Sequence, residues 1–268
     1  MDKNLEKAIM TLNEQVSSFN DEQYKKFLTG YNTLSINEHK YSPMNRAMIS
    51  SQLVMQGLRA SLVGGYKSFW SPLGRYPKKG SRALWILMPL IKKSYREDIN
   101  GEKESYSFCF GFKFVRVFDY SQTEGKEIEK KQYMVTKNAS SLKMSSLIDI
   151  FKEDVNVEFR AMEPLLGGFV EENNVVINSL RTEDDQLRTY FHELAHFYLD
   201  HTKEHNVSKD QREVDAETVA HLVSQEYGIT GRGVEYIYGY SHEHNIRPQI
   251  HEVIRVASDI IKKISKVA

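Results

Sequence analysis

Between Thr189 and His201 the sequence TYFHELAHFYLDH places His192, Glu193 and His196 as His-Glu-x-x-His. Residues four apart on an α-helix stand one above the other, so His192 and His196 can both offer a ring nitrogen to one metal ion. Glu193 lies a step of about 100° round the helix from His192, which lets its carboxylate reach a water at the metal rather than the metal itself. That placement suits a general base. A catalytic zinc site also needs a third protein ligand and an open position. The candidates downstream are His201, His205 and the carboxylates of the next helical stretch. If the helix runs on through Asp200, His201 falls about 180° from His192 and about 140° from His196, and FYLDH has no glycine to turn the chain back. His201 therefore reads as a helix-end residue. Glu213 and Glu217 lie one turn apart on one face, with Asp215 facing away. One of the pair can ligate while the other accepts the free N–H of a ligating histidine, and spacing alone does not say which does which.

The elements that must position these residues are legible in outline. Thr182 caps the motif helix, with Glu183, Asp184 and Asp185 in its first turn, where acids favour the helix dipole. Its apolar stripe runs through Leu187, Tyr190, Phe191, Leu194, Ala195 and Tyr198, which sets both histidines at the edge of a buried face. Ser208 caps the following helix, with Gln211 at the box position and Gly228 as terminator. Ahead of the motif, SSLIDIFKED predicts a short helix, VNVEFRAM a strand, and GGFVEENNVVINS a hairpin turning near Glu172–Asn174. After it, Ile250, Val253, Ile254, Ala257, Ile260, Ile261 and Ile264 make a final amphipathic helix. Near the N-terminus, residues 3–36 read as two helices with Asn20 or Asp21 as the cap between them, and a third starts at Ser42-Pro43. The run RALWILMPL predicts a buried strand and SYSFCFGFKFVRVFDYSQ a second, with a hairpin tip between them. Residues 124–143 read as a linker, with a strand over part of them as the alternative.

The chain has 268 residues, 40% hydrophobic and 27% charged, enough for one large domain or two smaller ones. Its single cysteine, Cys109, excludes an intramolecular disulfide and a cysteine-based zinc finger, so a metal must be held by histidine and carboxylate. The opening MDKNLEKAIMTLNEQ lacks the apolar core of a signal peptide, and no run is long enough to span a membrane, so a cytoplasmic location is expected.

The net charge of zero is divided unequally. Residues 1–145 carry 23 Lys and Arg against 14 Asp and Glu, and the remainder carries 13 against 22. From His39 to Arg96 there are eleven basic residues and no acid. Tyr41, Tyr66, Phe69, Trp70, Tyr76 and Trp85 lie within that run, with Trp85 expected in the core. Cations for phosphates and ring faces for unpaired bases are what single-stranded nucleic acid requires; a basic surface over core aromatics has the same composition.

HELAH followed by Glu213-x-x-Ala216-Glu217 resembles the gluzincin arrangement of the ImmA/IrrE metallopeptidases and the antirestriction ArdC proteins. That resemblance implies Glu213 as the third ligand, with His192 and His196, and Glu217 as the residue supporting a histidine. The hairpin GGFVEENNVVINS resembles the strand along the cleft of such enzymes, where extended peptide can pair. YSPMNRAMISSQ, VGGYKSFWSPLGRYPKKGSRALWILMPL and VRVFDYSQTEG, in that order, resemble the single-stranded-DNA-binding domain of ArdC proteins. The likeness covers roughly residues 38–228. It departs at KKGSRA, which is more basic than many relatives, and at FYLDH.

The fold class that follows is α+β: N-terminal helices with a small antiparallel sheet over residues 1–135, then a zincin-like metallopeptidase domain over residues 140–268. The implied cofactor is Zn2+ or another divalent metal, with Glu193 as catalytic base. The implied partners are single-stranded DNA, through Lys67, Trp70, Arg75, Lys78, Lys79 and Arg82, and a protein substrate. The function implied is protection of incoming single-stranded mobile DNA from restriction. Two alternatives are an ImmA-type endopeptidase cleaving a regulatory protein and a DNA binder whose metal domain cleaves nothing. His221, His242 and His244 read as surface or loop histidines rather than transition-state donors.

Overall fold

The computed structural model describes residues 2–35, 37, 40–97, 103–134, 142–201, 207–229, 234–243 and 246–266. His39, His205, His244, the hairpin tip at 98–102 and residues 135–141 of the expected linker lie outside them. The fold is α+β.

Three helices open the chain: α1 (Lys3–Ser17), α2 (Asp21–Ser35) and α3 (Pro43–Met55). Each has a side-chain cap at its start, which satisfies backbone donors that helix geometry leaves without partners. Asp2 Oδ1 accepts from the N–H groups of Asn4 and Leu5. Asn20 and Gln23 exchange side-chain and backbone bonds of 2.9 and 3.0 Å, so Asn20 is the cap and Asp21 sits in the first turn. Ser42 Oγ accepts from Asn45 N–H ahead of Pro43.

Two small sheets follow. In the first, β1 (Val63–Gly64) and β3 (Leu84–Glu97) flank a central β4 (Lys103–Asp119). In the second, β2 (Arg75–Pro77) pairs antiparallel with β5 (Thr123–Gly125), which falls at the start of the expected linker. The β3/β4 hairpin pairs from Leu84↔Val117 to Glu97↔Lys103, with one bulge between Leu90 and Ile91. β3 is an edge strand, and α3 completes it. Asn45 and Gln52, seven residues apart on that helix, each bond both the N–H and the C=O of one β3 residue, Leu87 and Trp85 respectively, at 2.8 to 2.9 Å. Two amide side chains thus stand where a further strand would pair. The apolar run of β3 is buried less than its sequence suggests, because α1 and α3 cover it only in part. Trp85, expected in the core, is 45% exposed.

The C-terminal half begins with α4 (Met144–Phe151) and a three-stranded sheet in which β8 (Asn174–Asn178) is central. β6 (Asn156–Arg160) pairs with it in parallel, and β7 (Gly168–Glu171) antiparallel. The turn from β7 to β8 uses Glu172 at φ 53°. Then come α5 (Glu183–Tyr198), α6 (Lys209–Glu226), α7 (Val234–Glu243) and α8 (Ile250–Ser265).

The largest buried cluster draws on both halves: Leu12, Val16 and Phe27 from the first helices pack with Phe151, Phe191, Val219 and Val253 from later ones. Polar contacts follow the same seam. Arg46 of α3 is 2% exposed, lies 4.7 Å over the Tyr31 ring and pairs with Glu226 of α6 at 2.7 Å. Among the described residues no helix is long and apolar enough to cross a membrane.

Candidate metal centre

α5 starts as its sequence predicts, with Thr182 Oγ1 accepting from Asp185 N–H. Its buried stripe of Leu187, Tyr190, Phe191, Leu194 and Ala195 turns the histidine edge toward α6. There the ring nitrogens His192 Nε2 and His196 Nε2 lie 3.1 Å apart. Glu213 of α6 places one carboxylate oxygen 3.5 Å from His192 Nε2 and the other 3.7 Å from His196 Nε2. Ligand atoms about 2.0–2.1 Å from a tetrahedral divalent ion stand about 3.3 Å from one another. The three side chains therefore have the separations such an ion requires, and they form a group that could hold a metal. The two histidines hold the Glu213 carboxyl well below the usual carboxylate range.

The other ring nitrogens are also engaged. His192 Nδ1 is 3.1 Å from Glu217 Oε2, and the remaining oxygen of Glu217 pairs with Arg188. A carboxylate anchored by arginine accepts the Nδ1–H, which leaves the Nε2 lone pair facing Glu213. His196 Nδ1 is 3.1 Å from His201 Nδ1.

That last contact adds to the sequence reading of His201 as a helix-end residue. The helix does not run on through Asp200: Asp200 takes φ 62°, donates its N–H to Phe197 C=O, and His201 donates its N–H to His196 C=O at 2.8 Å. The left-handed residue normally supplied by glycine is here an aspartate, which tolerates that conformation better than most side chains. The chain folds back, and the His201 ring meets the far side of a motif histidine. Arg212 of α6 holds the turn by donating to His201 C=O at 3.0 Å.

Glu193 is 6% exposed, and burial pushes its carboxyl up to about 7. His196 opposes the rise, Glu213 adds to it, and a backbone hydrogen bond from Val170 of β7 opposes it again. β7 runs this close to α5 because it starts with glycine: a Cβ on Gly168 would meet Val176 O at 2.5 Å and Thr189 Cγ2 at 2.7 Å. A polar cavity of about 190 Å3 opens here, lined by Gly168, Arg181, Arg188, Thr189, His192 and Glu193 among others. β7 is an edge strand beside it.

The remaining histidines divide. His221 is no surface residue: it is 3% exposed and hydrogen-bonded to Asn32 of α2, and burial, helped by the Arg188 charge, pushes its pKa down to about 4. His242 sits on the surface and pairs with Asp21. His244 is outside the described residues.

The residues expected to contact DNA divide too. Lys67, Lys78, Lys79 and Arg82 are exposed. Trp70 and Arg75 are not available to a ligand. Trp70 is fully buried and its Nε1–H donates to Phe118 C=O at 2.9 Å. Arg75, 4% exposed, donates to Thr123 Oγ1, Thr123 C=O and Lys126 C=O and lies 4.0 Å over the Tyr120 ring. Trp70 ties the segment before β2 to β4 of the first sheet, and Arg75 ties β2 to β5 within the second; a basic and aromatic segment does not reveal in sequence which of its members have such structural roles.

Comparison with known proteins places residues 148–226 in agreement with the peptidase family described as the IrrE N-terminal-like domain. An uncharacterized protein of Bacillus anthracis, pXO2-81, is 24% identical over 84% of this chain and 46% of its own, so this chain spans about half the length of that relative. Among solved structures, the metal-free antirestriction protein ArdC of plasmid R388 superposes with a TM-score of 0.51 at 14% identity, covering 96% of both chains. The Mn(II)-bound structure of the same protein gives a TM-score of 0.47 at 14% identity, covering 92% of this chain and 98% of that one.

Proposed function

We propose that this chain, ArdC-like in fold and carrying an IrrE N-terminal-like segment at residues 148–226, is a single-stranded-DNA-binding antirestriction factor with a divalent-metal-dependent peptidase site. The observation that carries the metal reading is the donor triad His192, His196 and Glu213 at 3.1–3.7 Å, with both outward ring nitrogens of the histidines already engaged. Zinc is the ion we assign to it, since two imidazoles and one carboxylate suit that metal.

A divalent ion held there supplies Lewis acidity toward a peptide carbonyl and an attacking water. The protein supplies the rest. Glu193, buried and near neutral in pKa, takes the proton of the attacking water and returns it to the leaving amine. Glu217 and His201 fix the ring orientations of His192 and His196. β7 is the outer strand among the described residues, and beyond the Val170 N–H that already reaches Glu193 its remaining backbone groups can pair with an extended peptide. For DNA, the support is the acid-free run 40–96 with exposed Lys67, Lys78, Lys79 and Arg82.

Metal analysis of the purified protein tests the first part: about one equivalent in the wild type and loss in Glu213→Ala supports the triad, and equal content in both sinks it. Glu193→Gln separates the readings of the C-terminal half. Loss of protection of transferred DNA with metal retained supports a chemical role. Unchanged protection assigns the metal domain to a non-catalytic role. The DNA reading predicts binding to single strands that falls steeply with salt; equal affinity for duplex would count against it.

A further inference from the structure

A cavity of about 420 Å3 opens between α1, α3 and the β3/β4 hairpin, and none of its lining residues lines the cavity at the metal centre. Its floor is aliphatic: Ala8, Leu12 and Met48. Its walls are Trp85 and Phe114, whose rings meet edge to face at 90° with centroids 6.5 Å apart. Trp85 is held by its backbone, since Gln52 bonds both its N–H and its C=O, while its side chain is left 45% exposed. At the edge, Ser51 donates to Gln15 Oε1 at 2.8 Å, which orients the Gln15 amide and leaves its N–H groups to a further acceptor.

The surroundings are cationic. Lys7 lines the cavity, and no carboxylate does. Arg116 is paired directly opposite Trp85 across the two strands, so the two side chains share one face of the hairpin. Arg82 precedes Trp85 by three residues, a span of at most about 10 Å of extended chain. All three cations are exposed.

We propose that this cavity receives one unstacked base of single-stranded nucleic acid, its ring against Trp85 and Phe114 and the flanking phosphates on Lys7, Arg82 and Arg116. The volume lies within the roughly 300–1,000 Å3 of small-ligand sites. An uncovered indole on a rigid support is a stacking platform, and a base paired in a duplex cannot reach it. An apolar anchor from a protein partner would fill the floor equally well, but it has no use for Lys7 in the lining or for Arg116 on the face of Trp85. The inference rests on the DNA reading above and gives it a place on the molecule.

The test uses the full chain, a labelled homopyrimidine oligonucleotide and the same strand made abasic, with wild type, Trp85→Ala and Trp85→Phe. Emission from buried Trp70 reports that each variant is folded. Trp85→Ala should weaken binding roughly tenfold with the salt slope unchanged, and Trp85→Phe should restore most of it. On the abasic strand wild type and Trp85→Ala should bind alike. Wild-type affinity in Trp85→Ala, or the same loss on the abasic strand, overturns the cavity assignment and leaves salt-dependent DNA binding standing. Absence of salt-dependent binding in the wild type removes both. Self-association that disappears in Trp85→Ala while DNA affinity stays unchanged would give the cavity to a second copy of the chain and overturn the proposal.

Discussion

At Asp200 a φ of 62° and two backbone hydrogen bonds return the chain so that the His201 ring meets His196. Spacing along a helix made His192, Glu193 and His196 legible, because four residues is nearly one turn. It could not reach His201, since that reading assumed a straight helix and looked only for glycine as its terminator. A carboxylate beside a candidate helix end was the signal present and unused. Removing a group that orients a metal ligand costs about 10–100-fold in metal affinity. His201→Ala should therefore weaken metal binding by about that factor in a chelator competition. Asp200→Gly should leave affinity unchanged, and Asp200→Val, a branched side chain forced into the left-handed region, should weaken it as His201→Ala does. Equal affinity in all three would remove His201 from the site.

His221 belongs to the same scale and makes one contribution to the pH dependence. Its pKa is pushed down from 6.5 to about 4, so as pH falls the unfolded chain binds the proton first. Stability from this residue is complete above about 6.5 and is lost between about 6.5 and 4, by about 3 kcal/mol in all. Asp215 and Glu193, pushed up by burial to about 6 and about 7, act with the opposite sign over much of that window. Denaturant unfolding of wild type against His221→Gln at pH 7 and pH 4.5 isolates the histidine: the wild type should lose more on acidification than the variant, and equal losses would refute the assignment.

Between elements, the contact of α3 with β3 shows what hydrophobic pattern does and does not reveal. The run LWILMPL announced a strand, and a continuous apolar run normally means cover on both faces. What the pattern lacked was the edge. Asn45 and Gln52 bond backbone that is polar whatever the side chains are, so the hydropathy of the run contains no trace of them. Asn45→Leu should cost about 1–3 kcal/mol by leaving the N–H and C=O of Leu87 without a partner. Measured by denaturant midpoint, a loss within about 0.5 kcal/mol, the size of an ordinary surface substitution, would mean that the edge is satisfied another way. Trp70 and Trp85 exchanged their expected places for a related reason. Trp70 stands in a polar, basic stretch yet its ring fills the junction of the small sheets, while Trp85 stands in an apolar run at the mouth of a cavity.

For the whole molecule, the charge division suggested two objects, and the buried residues join them. Leu12, Val16 and Phe27 share a core with Phe191 and Val219, and α6, which carries Glu213 and Glu217, meets α2 through His221 and Asn32 and α3 through Glu226 and Arg46. Composition separates sequences by what their surfaces present, and a shared interior leaves no mark on it. With that shared interior the two halves should unfold together. A ligand that binds only the native state stabilises it by RT ln(1 + [L]/Kd), about 2.7 kcal/mol at one hundred times Kd. A divalent ion added to the protein and held between α5 and α6 should therefore slow hydrogen exchange at the slowest amides of α1 and α2 by the same free-energy increment as at those of α5. On the proposed reading, a metal held by α5 and α6 would stiffen the basic half as well, and starving the chain of it should weaken DNA binding before any bond is cut.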